Sequence, residues 1–253
     1  MLIKSTWILT VSEPTILPRS YPLELVKELH RRMGLEIGVE KIPTVSFSGI
    51  NGRFNGVQDF VTFLPEEFYN ISLCGLNETA SKAIASLQNS PYLELLGAKF
   101  IVSDRQDEIT TYEQLYTTLV ANDPQPIYRF NLRFITPTAF AQKHLQLPLP
   151  IPELMFRSWL NSWNYFAPVY LGADELIGYL REAIALKHHR IQTRSFQIHK
   201  GFVNGFVGEV KLQVLRRSDF LLVNVANLLV NYSQFTGTGM KTRLGMGCTL
   251  LDN

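Results

Sequence analysis

The chain has 253 residues, 46% of them hydrophobic and 18% charged, which allows one large core or two small ones and excludes a disordered polymer. No apolar run is long enough to span a membrane, and two cysteines, Cys74 and Cys248, exclude a disulfide framework and a cysteine-rich zinc site. The net charge of +2 divides into −5 over residues 1–127 and +7 over residues 128–253, an asymmetry that points to a polyanion met by the second half.

Met1 to Val11 is rich in β-formers and reads as a first strand rather than a signal peptide, so a reduced, cytoplasmic protein is expected. Ser20 supplies a capping hydroxyl ahead of Pro22, and Pro22, Leu25, Val26, Leu29 and Met33 recur at helical spacing up to Gly34. Strands are predicted over Val45 to Ile50, Val57 to Leu64 and Phe68 to Leu73, with Asn51-Gly52 as a turn. A helix from Asn77 through Leu87, a strand over Leu93 to Ser103 and a helix over Tyr112 to Val120 complete a strand–helix–strand pattern made twice. That is the α+β, ferredoxin-like arrangement.

Asn122 to Pro126 is polar, holds two prolines and precedes the change of charge sign, so it divides domains at 1–122 and 127–253. The second half starts with a strand, Ile127 to Ile135, closed by Thr136-Pro137-Thr138. A helix carrying Trp159 and Trp163 follows, then a helix over Asp174 to Lys187. Arg190 to His199 and Gly205 to Leu215 form a hairpin, Ser218 caps a helix through Tyr232, and Leu244 to Leu251 closes the chain as a strand. Two ferredoxin-like units in tandem fit this order.

Between that last helix and strand, Gly237-Thr238-Gly239 and Gly245-Met246-Gly247 bracket five residues that include Lys241 and Arg243. No glycine precedes Lys241 as a P-loop requires, and a helix comes before the stretch rather than after it as in a dinucleotide site. Bare N–H groups beside two cations make an anion concavity, and a nucleic-acid backbone is the expected anion.

This Gly-x-Gly pair of pairs, after a helix, resembles the signature loop of the CRISPR repeat-processing endoribonucleases of the RAMP superfamily. Phe134-Ile135-Thr136-Pro137-Thr138-Ala139-Phe140 is similar to that family's first strand of the second domain, and Pro150 to Trp163 to the helix after it. The resemblance implies tandem ferredoxin-like domains and a metal-independent endoribonuclease with no cofactor. The 2′-OH attacks the adjacent phosphate, leaving a 2′,3′-cyclic phosphate and a 5′-OH. Such a step needs an acid–base pair and cations for the non-bridging oxygens.

The family's histidine lies on or just after the first helix, and His30 is the only histidine in residues 1–127. With Leu25 at 0° and 100° per residue, His30 falls near 140°, at the half-open edge of the apolar stripe. The resemblance makes it the general acid or base, with Lys27, Arg31 and Lys41 as phosphate stabilisers and Tyr21 as a hydroxyl partner. Gly237, Gly239, Lys241, Arg243, Gly245 and Gly247 then position RNA rather than cut it.

Cations from Arg181 to Arg217 interleave with Phe196, Phe202 and Phe206, and Arg190 and Arg194 share a strand face, so these two and Lys200 are expected to track RNA phosphates. His188 and His189 are adjacent and diverge, which leaves no metal-ligand pair. The partner is CRISPR repeat RNA, expected to form a hairpin, with effector-complex subunits as further partners of a monomer or homodimer and no membrane. The alternative is a non-catalytic RAMP subunit that holds CRISPR RNA, and a weaker one is an enzyme binding a phosphorylated small molecule on the glycine stretch.

Overall fold

Two sheets that share a four-strand order, the first with one further strand at its edge, organise the molecule. The computed structural model describes residues 1–252 apart from 37, 39, 58, 88–90, 144, 199–200 and 216–217. It divides into two compact units: Met1–Ile109 with Gln197–Phe202 and Arg243–Gly245, and Thr110–Phe196 with Val203–Thr242 and Met246–Asn253. In chain order the first changeover between these units lies between Ile109 and Thr110.

In the first unit the elements run β1 (Leu2–Thr10), β2 (Thr15–Pro18), α1 (Tyr21–Met33), β3 (Val45–Phe47), β4 (Asn55–Val57), β5 (Phe60–Phe63), β6 (Tyr69–Gly75), α2 (Glu78–Ser86), β7 (Tyr92–Leu95) and β8 (Ala98–Thr110). The main sheet has the order β3-β6-β1-β8-β7, and β2-β5-β4 form a small sheet of their own. β1 pairs antiparallel with β6 from Ile3 opposite Gly75 to Leu9 opposite Tyr69. Its inward residues Ile3, Trp7 and Leu9 meet Leu25 and Leu29 of α1, Ile84 of α2 and Phe100 of β8 in one cluster. Each of these large side chains, buried, stabilises the unit by roughly 1.5–3 kcal/mol.

α1 obeys its sequence signals at both ends. Pro22 sits in the first turn with Glu24, Arg31 and Arg32 occupy the last, and Gly34 closes it at φ 64°. These charges complement the helix dipole, and glycine takes the left-handed cap without a Cβ penalty. Ser20 makes no side-chain cap bond, since its own backbone is already helical at φ −78°, ψ −1°. The single strand expected over Leu93 to Ser103 is a hairpin, β7 and β8, turning at Leu96 (φ 53°) and Gly97 (φ 81°). Two successive positive φ values are what a tight hairpin turn demands.

The second unit contains α3 (Tyr112–Tyr116) with a π-helical turn at Thr117–Ala121, β9 (Arg129–Thr138), a short hairpin β10 (Phe140–Gln142) and β11 (Leu145–Leu147), α4 (Pro152–Phe166), α5 (Asp174–Ala183), β12 (Ile184–Ile198), β13 (Gly201–Val214), α6 (Phe220–Thr236) and β14 (Thr249–Asp252). Its sheet order is β12-β13-β9-β14. β3-β6-β1-β8 in the first unit, with β7 added at the edge, and β12-β13-β9-β14 in the second share the order that the ferredoxin-like pattern requires. β9 alternates exposed Arg129, Asn131 and Arg133 with buried Phe130, Leu132 and Phe134, so one face carries the core.

Of the boundaries that differ from expectation, three have clear physical reasons. α5 stops at Ala183 rather than Lys187, because Ile184 is buried in extended form and the Ala183 carbonyl accepts from Leu215 N at 2.9 Å. Asp219, not Ser218, caps α6, its carboxylate accepting from Leu221 N and Leu222 N. The closing strand begins at Thr249, since Gly245 and Gly247 hold φ of 102° and 73° and break any earlier strand.

Candidate active site and nucleic-acid interface

α1 fixes the position of His30. Leu25, Val26, Leu29 and Met33 anchor its inner face, and His30 is only 4% exposed. The expected half-open edge is therefore closed: Phe47 of β3 covers the ring edge-on, with centroids 5.6 Å apart. Nδ1 lies 2.8 Å from the Val26 carbonyl oxygen. A carbonyl only accepts, so Nδ1 carries the hydrogen and the neutral ring keeps its lone pair on Nε2. Burial pushes the imidazole pKa below its ordinary 6.5, the Val26 bond opposes this, and the nearby Arg243 charge adds to the depression.

Arg243, whose charge acts on this ring, lies far along the chain. It belongs with Leu244 and Gly245 to the first unit, and Leu244 packs against that unit's core. Its Nη1 donates to the Gly38 carbonyl and, at 3.5 Å, to that of Glu40, both in the segment after α1. Arg243 was expected to contact RNA; in the structure it is held by the segment after α1, and its charge acts on the histidine.

Tyr21, Lys27 and Arg31, also expected at the chemistry, are each engaged by groups of the protein itself. Tyr21 is 7% exposed and its hydroxyl donates to the Ile50 carbonyl at 3.1 Å. Burial raises the phenol pKa, so it stays protonated. Nine residues separate it from His30 on one helix, about 13.5 Å along the axis. Lys27 pairs with Glu24 at 2.7 Å and Arg31 with Glu28 through two bonds of 2.7 and 2.8 Å. Both cations line a shallow groove that Glu24, Glu28 and Glu94 also rim, so carboxylates outnumber cations there. Lys41 is exposed in the turn before β3.

The glycine stretch is a built loop rather than an open concavity. Gly237, Gly239, Gly245 and Gly247 all have positive φ, as does Lys241 at 59°. A Cβ on Gly239 would run into the Ala139 carbonyl, and one on Gly247 into the Thr238 carbonyl. The glycines thus serve close backbone packing. Most N–H groups expected to face an anion are already spent. Thr238 N donates to Gly247 O, Gly239 N to Ser158 Oγ, Met240 N to Ala139 O, Gly247 N to Pro137 O and Cys248 N to Thr136 Oγ1, at 2.8–3.0 Å. What the loop offers a partner is its half-buried turn with Lys241 and Arg243, where Thr242–Leu244 form one 3₁₀ turn.

Beneath it lies a buried polar chain that residue-by-residue reading missed. Trp159 Nε1 donates to Thr238 Oγ1 at 2.9 Å, and the Thr238 and Thr249 hydroxyls are 2.6 Å apart. Thr236 donates to Ser162 at 2.8 Å, and Ser162 meets the Tyr232 hydroxyl at 2.9 Å. Only the recurrence of small hydroxyl residues on α4 and around the glycines hinted at it. Such satisfied networks specify one conformation.

On β12, residues 185–190 and 192–195 are exposed, Arg190 and Arg194 among them, and β12 is an edge strand of its sheet. Lys200 falls outside the described residues. Among the described residues no three His, Cys, Asp or Glu side chains gather to hold a metal, and no helix is long and apolar enough to cross a membrane.

Residues 132–249 match the family model of the CRISPR-associated endoribonuclease Cas6. A curated Cas6 from Streptococcus thermophilus is 27% identical over 119 residues, 47% of this chain and 48% of that protein. One from Mycobacterium tuberculosis is 29% identical over 119 residues, 47% of this chain and 37% of that protein. The matched segment thus spans half or less of the curated relatives. A Cas6 product complex superposes with a TM-score of 0.75 at 21% identity, over 100% of both chains. A Thermus thermophilus Cas6 product complex gives 0.74 at 19%, over 100% of this chain and 99% of that one. The second half of the chain is thus similar in sequence to the Cas6 family, and the whole chain shares the fold of these solved structures.

Proposed function

We propose that this protein is an endoribonuclease that cleaves precursor CRISPR RNA within its repeats. The observation that carries the reading is the Cas6 match of residues 132–249, which contain both the Thr-Pro-Thr strand and the glycine loop. The 2′-OH attacks the scissile phosphate, giving 2′,3′-cyclic phosphate and 5′-OH ends without a metal. His30 of the first domain, residues 1–122, supplies acid–base chemistry. The cations of β12 in the second domain, residues 127–253, hold RNA together with Lys241 and with Arg243, which belongs to the first compact unit. Repeat RNA is the partner, with effector subunits as a further one, in the cytoplasm.

Purified protein in excess chelator is expected to cleave a repeat RNA from its own host, and a single 2′-deoxy substitution at the scissile nucleotide to block the cut. Cleavage of the 2′-deoxy substrate at the same bond would reject the mechanism, and failure to cleave any repeat would reject the activity. The second reading, a non-catalytic RAMP subunit that holds CRISPR RNA, is favoured by one observation: His30 is only 4% exposed. Tight repeat binding without cleavage would select it.

The β12 cations give a separate expectation. Arg190→Ala and Arg194→Ala should each weaken repeat binding evenly across stem sequences and flatten the salt dependence of log Kd by up to about one charge. Filter binding between low and moderate salt checks this. An unchanged salt slope in the double variant would remove β12 from the interface.

A further inference from the structure

The β10–β11 hairpin buries one large side chain, Phe140, and is seated against the glycine loop. The Ala139 carbonyl at its root accepts from Met240 N at 2.9 Å, and a methyl on Gly239 would lie 3.4 Å from Phe140 Cδ1. The hairpin pairs Phe140 with Leu147, Ala141 with Gln146 and Gln142 with Leu145. Side chains alternate, so Phe140, Leu147, Gln142 and Leu145 share the face that meets the loop, with Gln142 and Leu145 the outermost pair. Leu145 is 75% exposed, the most exposed large apolar side chain among the described residues. The adjoining turn holds Lys143 at φ 54°, a left-handed value that glycine or asparagine takes more cheaply. Among the described residues neither Lys143 nor Lys241 is ion-paired, and the Gln142 amide has no partner.

An apolar side chain, an amide and a cation side by side match a nucleotide, which offers a flat apolar face, a hydrogen-bonding edge and a phosphate. Three side chains at a hairpin tip fall far short of the roughly 20–30 residues through which a stable protein partner is engaged. The positive excess of residues 128–253 also favours a polyanion. We propose that the tip of the β10–β11 hairpin binds one unpaired nucleobase of the repeat RNA, next to the phosphates that Lys241 holds. Leu145 packs on the face of the base, the Gln142 amide bonds to its edge, and Lys143 meets its phosphate. The inference rests on the endoribonuclease reading for the identity of the RNA, but it needs binding and not cleavage.

The test uses the full chain with Leu145→Ser and Gln142→Ala, both of which leave the buried Phe140 in place, so folding is expected to be unchanged. Fluorescence anisotropy measures binding to the host's repeat RNA and to a series in which each unpaired nucleotide in turn is made abasic. Leu145→Ser should weaken binding of the intact repeat about fivefold to tenfold, the scale of one partly buried leucine. At one position the abasic repeat should bind the unaltered protein more weakly to a similar extent. That RNA should be indifferent to Leu145→Ser, because the group that the leucine meets is already gone. At the same position the unaltered protein should discriminate among the four bases, and Gln142→Ala should erase the preference.

A loss from Leu145→Ser that adds to the abasic loss at every position, or no loss at all, would overturn the proposal. So would a Leu145→Ser variant that binds the repeat normally but changes the sedimentation of the free protein, since the tip would then belong to a second copy of the chain. Coupling at one position, with no cleavage of any repeat by the unaltered protein, would keep the base contact and reject the endoribonuclease reading alone. Cleavage without coupling would reject the base contact alone, and an unaltered protein that binds no repeat RNA would overturn both.

Discussion

His30→Ala should slow single-turnover cleavage of a repeat RNA by about 10²–10⁴-fold with RNA affinity nearly unchanged, the span expected for a general acid–base group. The side chain is buried beside Phe47, so alanine leaves a cavity and lowers stability as well. His30→Asn separates the two effects. Its amide nitrogen can replace Nδ1 in the bond to the Val26 carbonyl, yet nothing stands where Nε2 was. Asparagine should therefore restore folding, read by thermal melting, without restoring the rate.

The pH dependence has a definite sign. The imidazole pKa is depressed below 6.5, so the accepting form dominates at neutral pH and is lost only as pH falls through that lowered value. Activity should hold from neutrality down past pH 6.5 before it declines. A rate for His30→Asn within tenfold of the unaltered protein would remove His30 from the chemistry.

The second large effect is on stability. Gly247→Ala should destabilise the protein by roughly 2–4 kcal/mol, combining the cost of a left-handed non-glycine residue with a collision that the backbone must relieve. The collision is with the Thr238 carbonyl, whose own residue is bonded to Gly247 O at 2.8 Å, so neither side can yield alone. Gly34→Ala is the matched control. Gly34 has φ 64° and nothing within 4 Å of the methyl that alanine would add, so only the conformational share, about 1 kcal/mol, should be lost. Urea unfolding of both variants measures the difference. Equal losses would mean that the loop closes less tightly than its hydrogen bonds indicate.

How much of this was readable in the sequence depended on the range of the determining contact. The alternation of Arg129 to Phe134 and the stripe of Leu25, Val26 and Leu29 are local patterns, and they gave the strands, the helix and hence the tandem fold. The β7–β8 turn was missed because Leu96 takes a left-handed conformation that leucine seldom adopts, and Gly97 alone is a weak signal. Burial of His30 could not be read from a helical wheel, since Phe47 of a different element does the covering. The bond from Arg243 to Gly38 spans 205 residues, beyond any spacing rule. The glycines were noticed for the right reason, a missing Cβ, but the atoms that approach them are the protein's own.

The seating of the glycine loop has a consequence for its dynamics. β14 is four residues long and pairs Thr249 to Asp252 with Phe134 to Asn131 of β9. The bonds from Ile135 N to Cys248 O, Cys248 N to Thr136 Oγ1 and Gly247 N to Pro137 O carry that pairing onward to the glycines. Strand and loop therefore open as one cooperative segment, and a fluctuation that peels the sheet edge also dissolves the loop. Any ligand held by the closed loop protects the strand by mass action, so slowed amide exchange at Thr249 to Asp252 would report occupancy of the loop without a probe on the ligand itself.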